Sequence, residues 1–143
     1  MATNNQTRLH GRHKKRDVSV LTFEVNFDEL VVDNDLYQMA VLPSESYLLS
    51  CNVIIVTPDD AGTSSVLDVG VDGTVDNLHN GINLKAAAGT NVASSTRLYL
   101  ATGGIVTALV LRVGTAETEG KAICIIEYIE LDKATGELTN FVA

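Results

Sequence analysis

The chain has 143 residues and a net charge of −8, with 18 acidic and 10 basic side chains. That length is one domain, and it can bury roughly 70% of its unfolded surface, so its core needs no staples. Its two cysteines make no disulfide framework, no apolar run approaches the ~20 residues of a membrane span, and the polar N-terminus lacks the apolar stretch of a secretion signal. A soluble protein made in a cytoplasm is expected.

The charge is divided along the chain. "RLHGRHKKR" holds Arg8, Arg12, Lys14, Lys15 and Arg16, half of all the basic residues, and no acid occurs before Asp17. The first sixteen residues therefore carry +5 and the remainder −13. Residues 1–17, too polar to bury a core, read as a flexible basic arm, and residues 18–143 as a single folded body.

Period-two alternation dominates that body, which marks half-buried strands. In "SVLTFEVNF", Leu21, Phe23, Val25 and Phe27 face one way and Thr22, Glu24 and Asn26 the other. "DLYQMAVLP" (35–43) reads as a strand in preference to a helical turn. In "YLLSCNVIIVT" (47–57), Leu49, Cys51, Val53 and Ile55 are expected to share the core face. In "SVLDVGVDG", Leu67, Val69 and Val71 oppose solvated Asp68 and Asp72. "LHNGINLKAAAG" (78–89) is the one place a short helix is expected, and "RLYLAT", "GIVTALVLRVG" and "KAICIIEYIEL" supply further strands. Turn chemistry at 58–62, Asp72-Gly73, Asn80-Gly81, Gly103-Gly104 and Thr135-Gly136 separates these runs. Seven or eight strands without βαβ alternation predict an all-β antiparallel sandwich. Their uneven spacing favours a jelly roll or other Greek key over an up-and-down barrel.

Chemistry is sparse. His79 is the one histidine of the body, and its surroundings resemble no nucleophile's setting; it reads as a surface histidine in a turn. Asp68, Asp72 and Asp76 with His79 lack the alternate-oxygen spacing of a Ca²⁺ loop and read as solvated carboxylates. Gly70 and Gly73 are followed by acids that would repel phosphate, so no metal, cofactor or phosphate cradle is expected. Cys51 and Cys124 sit in apolar runs and read as reduced, buried thiols. A sugar platform would have to use Tyr37, Tyr47, Tyr99 or Tyr128, because the chain has no tryptophan. Nucleic acid is disfavoured as a partner of the arm, since phosphate would be repelled by the −13 body within about 8 Å, one Debye length. A docking arm that orders on a protein partner fits better.

The chain resembles the small jelly-roll decoration, or cement, proteins of tailed bacteriophage heads. The stretches that carry the likeness are "MAVLPSESYLLSCNVIIVTP", "SSVLDVGVDGTVDNLHNGINLKAAAG", "TRLYLATGGIVTALVLRVGTAETEGKAICIIEYIEL" and the basic head before the first strand. The resemblance implies a non-catalytic virion protein that self-associates, as a dimer or trimer, and binds across joins between major capsid protein subunits. Arg8, Arg12, Lys14, Lys15 and Arg16 would be its capsid-binding residues. A lectin-like or receptor-type binding module and a head–tail joining protein remain as alternatives.

Overall fold

The computed structural model describes residues 17–29, 36–94 and 96–131. These form nine strands: β1 (Val18–Asn26), β2 (Leu36–Leu42), β3 (Ser46–Thr57), β4 (Ser64–Val71), β5 (His79–Asn83), β6 (Asn91–Ser94), β7 (Leu98–Leu100), β8 (Gly104–Val113) and β9 (Lys121–Glu130). Among the described residues, the single helical element is a 3₁₀ turn at Phe27–Glu29.

One sheet runs β1-β9-β3, with both β6 and β7 on the remaining edge of β3; the other runs β2-β8-β4-β5. Every pairing is antiparallel. β7 pairs with Ser46–Leu48 and β6 with Cys51–Ile54, so the two lie end to end as one interrupted edge. Nine strands thus fill eight positions, and the chain crosses repeatedly between the sheets. This is the jelly roll, two Greek keys wrapped into a sandwich.

Alternation explains which side chains meet between the sheets. Val25 and Phe27 are buried and Leu21 and Phe23 pack against the core, as the first strand's pattern predicts. Leu67, Val69 and Val71 of β4 face Cys51, Val53 and Ile55 of β3 in one apolar cluster. The even positions of β8 and β9 complete it: Val106, Ala108 and Val110, then Ala122, Cys124, Ile126 and Tyr128.

Three local expectations are corrected. Leu48, not Leu49, is fully buried, because the β3·β9 register shifts between Leu48 and Ser50 and the bulge inverts parity there. Residues 78–89 form no helix; β5 occupies 79–83 and turns follow. Asp68 points away from the core as expected, yet it is buried, its Oδ1 accepting a 2.6 Å bond from the Gly81 N–H.

The turn after β4 shows why glycine matters here. Asp72 and Gly73 have φ of 59° and 80°, the left-handed pair of a type I′ turn, and the Thr74 N–H donates to Val71 O at 3.3 Å. The chain then folds back across Gly70, where a Cβ would lie 1.8 Å from Thr74 O. No other residue permits that approach.

Candidate functional site

The arm residues Arg8, Arg12, Lys14, Lys15 and Arg16 lie outside the described residues. The other sequence candidates are dispersed rather than brought together. His79 is buried in β5, not exposed in a turn, and its Nε2 lies 2.8 Å from Cys51 O, so an Nε2–H tautomer donates across the sandwich. Burial pushes its pKa down, partly opposed by that bond. Asp76 accepts from Asn80 Nδ2 at 2.9 Å, and Asp72 is exposed in its turn. No group of three or more His, Cys, Asp or Glu converges on a cation position among the described residues.

Cys51 and Cys124 are free, buried and on neighbouring strands, two register positions apart. Burial pushes both thiols up to about 12. A protonated thiol is a poor nucleophile at neutral pH, so they serve as small packing groups. The tyrosines do not form a platform: Tyr128 is buried and Tyr37 packs against the core. Tyr99 faces solvent opposite Tyr47, its hydroxyl donating to Glu45.

The polar organisation that the sequence did not announce lies at one end of the sandwich, where loops 58–63, 84–90 and 114–120 meet. Asp59 N–H donates to Leu84 O at 2.9 Å, Gly62 N–H to Thr115 O at 2.9 Å, and Lys85 Nζ to Ala61 O. Asp60 clamps the last loop, accepting from the Thr118 hydroxyl at 2.6 Å and from the N–H groups of Thr118 and Glu119 at 2.7 and 3.1 Å. These bonds, the Thr118 hydroxyl first, lower its carboxyl to about 2. Beside them Arg112 and Glu117 form a buried ion pair at 2.5 Å. Every one of these groups is engaged in holding a loop. The chemistry is that of a rigid scaffold.

The outer faces of the two sheets both mix apolar and ionisable side chains, with Val18, Val20 and Val56 exposed on one and Leu36, Val41, Ile105 and Val113 on the other. On the β1-β9-β3 face, Glu24 pairs with Lys121 at 2.9 Å and Glu127 stands on the same side. On the β2-β8-β4 face, the outward side chains of β8, Ile105 to Val113, are apolar or hydroxyl-bearing, and Asp68 of β4 stands opposite Leu109. The signal for this was present in "GIVTALVLRVG", which is apolar at both parities.

The fold defines the class: a single jelly-roll sandwich of the kind found in viral capsids. No protein-family profile matches the sequence, and no curated protein matches it. Among solved structures, a chain of the acid-stable capsid of the Helicobacter pylori bacteriophage KHP30 superposes with a TM-score of 0.65 at 16% identity, covering 90% of this chain and 99% of that one. A chain of the cyanophage Pam1 capsid asymmetric unit gives 0.64 at 16% identity, covering 90% and 96%. A chain of the Ralstonia phage GP4 capsid gives 0.56 at 19% identity, covering 80% and 84%. This chain has their fold nearly end to end.

Proposed function

We propose that the chain is a non-enzymatic structural protein of a bacteriophage virion, a decoration protein on the outer surface of the head. It holds neighbouring major capsid protein subunits together and is assembled onto the shell in the host cytoplasm. The observation that carries this reading is the fold likeness to chains of three phage capsids, spanning almost the whole of this chain and of two of those. The site supports it as well, since its polar groups lock loops and its thiols are buried and protonated.

In this role the basic arm, residues 1–17, is the handle, with Arg8, Arg12, Lys14, Lys15 and Arg16 contacting acidic positions on the shell. The sandwich, residues 18–143, is the bridging body, and its own acid keeps the decorated particle soluble. Self-association multiplies the attachments, so that separating subunits requires several contacts to release together.

The test is co-sedimentation with undecorated particles of full-length protein and of a variant lacking residues 1–16. The truncated protein should keep the β-type circular dichroism of the full chain and no longer sediment with particles. Added salt should weaken binding of the full chain, because exposed charge pairs are screened. Truncated protein that decorates as tightly as the full chain would refute the role given to the arm.

A further inference from the structure

A strand at the edge of a sheet presents unpaired N–H and C=O groups, and native sheets guard such edges by keeping them short, bulged or charged. Two sheets have four edges. One is shared by β6 and β7, which span only four and three residues. β5 has five residues and a register shift against β4, and β2 carries a bulge between Gln38 and Ala40. β1 has none of these guards. Its nine residues pair with β9 without an irregularity, and among the described residues no strand lies on its other side. Its one charged side chain, Glu24, is tied to Lys121 of β9 at 2.9 Å. Val18 and Val20 are more than half exposed, and Leu21 and Phe23 are only partly buried.

We propose that the free edge of β1 pairs antiparallel with β1 of a second copy, joining their two sheets into one about a two-fold axis. The inference rests on the self-associating part of the proposed role and names the element that performs it. The backbone sets the register. The Phe27 N–H donates to Gly120 O at 3.0 Å, one step beyond the Asn26–Lys121 pair. Bonding to the neighbour alternates along an antiparallel strand, so the odd residues of β1 bond to β9. The even ones, Val18, Val20, Thr22, Glu24 and Asn26, turn their N–H and C=O groups outward. Even residues must therefore meet even residues across the axis. The alignment that overlaps all nine positions sets Thr22 on Thr22, Val20 on Glu24 and Val18 on Asn26.

Side chains and charge select a second copy as the occupant. In that alignment Leu21 of each copy stands beside Phe23 of the other, so the half-covered margins of the two cores shield each other. Each Glu24 faces a valine instead of the other Glu24 and keeps its own Lys121. The basic run ends at Arg16, just before β1, so each arm leaves the shared sheet where β1 of the other copy ends, beside that copy's exposed Glu29. The two arms depart at opposite ends of the seam, roughly 30 Å apart at about 3.4 Å per residue. Opposite charges meet and like charges stay separate. A seam of that length and about 10 Å depth covers roughly 300 Å². A stable dimer buries about 800 Å² per partner, so association is reversible in solution and strengthens where copies are already held side by side.

Sedimentation equilibrium of the full-length chain over a wide concentration range, with amide hydrogen exchange at its two extremes, tests this. The unaltered protein should associate reversibly. The amides of Val20, Thr22 and Glu24 should exchange fast in dilute protein and at least about tenfold more slowly in concentrated protein, whereas those of Leu21, Phe23 and Val25 should be slow in both. Thr22→Pro removes an outward N–H at an edge position, where proline is tolerated. It should weaken association at least about tenfold, because each dimer loses two seam bonds, with circular dichroism unchanged. Val113→Lys, on an exposed position of the other sheet, should associate like the unaltered chain. A protein that stays monomeric throughout, or a folded Thr22→Pro variant that associates normally, would overturn the pairing. So would slow exchange at Val20, Thr22 and Glu24 in monomeric protein, which means that another segment of the same chain covers the edge. Slow exchange there only on particles would assign the edge to a shell strand and overturn the pairing too. Monomeric protein that still binds particles refutes this edge while sparing the capsid role; associating protein that ignores particles does the reverse.

Discussion

Replacing Arg112 with methionine isolates the one strongly desolvated charge pair of the loop end. The Glu117 side chain has no solvent exposure and that of Arg112 only 11%, with 2.5 Å between Nη1 and Oε1. The second carboxylate oxygen of Glu117, Oε2, has no hydrogen-bond partner. Without the guanidinium the carboxylate stays buried and uncompensated, which costs about 3–5 kcal/mol. That is a large part of the roughly 5–15 kcal/mol by which such a domain is stable. With a urea slope of about 2 kcal/mol per molar, the unfolding midpoint should fall by roughly 2 M. The double variant Arg112→Met with Glu117→Leu removes both charges and should return to within about 1 kcal/mol of the original stability. Urea unfolding of the unaltered protein, both single variants and the double, at one protein concentration, gives the coupling energy directly. A single Arg112→Met variant that loses less than about 1 kcal/mol would show that water reaches the pair, and the reasoning from burial would fail.

Two further outcomes are expected. The pKa of His79 in the folded chain lies below its ordinary 6.5, so its contribution to stability is complete above pH 6.5. Below that the unfolded chain takes up a proton that the folded chain refuses, and stability falls by up to about 1.4 kcal/mol per pH unit until the folded value is passed. Urea midpoints between pH 7 and 5 should lose that component of their slope in His79→Gln; identical slopes would count against it. Cys51 and Cys124, pushed up to about 12 by burial, should be silent to an aromatic disulfide reagent in native protein and react in urea. Stoichiometric labelling of the folded state would contradict their burial.

The strand grammar was readable wherever one parity was apolar and the other polar. β1 is the clear case, since Thr22, Glu24 and Asn26 left no doubt about which side faced water. β3 shows where such reading stops. "YLLSC" is apolar at consecutive positions, so nothing in the residue types marks the bulge that buries Leu48 and turns Leu49 aside. In 78–89, Leu78 and Ile82 sit four apart and mimic a helical face. Plain strand alternation puts that spacing on one face too, and the register shift between Leu67 and Val69 buries His79 as well. The loop-end clamp was hidden for a different reason: Asp60 and Thr118 are 58 positions apart, and only the jelly-roll path brings them within 2.6 Å. The apolar outer face of β8 was in plain view, but two-sided apolarity in a strand also means burial on both sides. The fold decides between those meanings.

The pairing of Val18 with Ile129 has a consequence for biosynthesis. β9 is the last strand among the described residues, and it fills the slot between β1 and β3. At about 5–20 residues per second, the nascent chain must carry two unmatched hydrophobic ribbons until residues 121–130 have been made. A ribosome stalled short of residue 121 would release a fragment whose first sheet lacks its keystone, prey for proteases or for aggregation. Synthesis of β9 is thus built into the topology as a checkpoint on which copies survive.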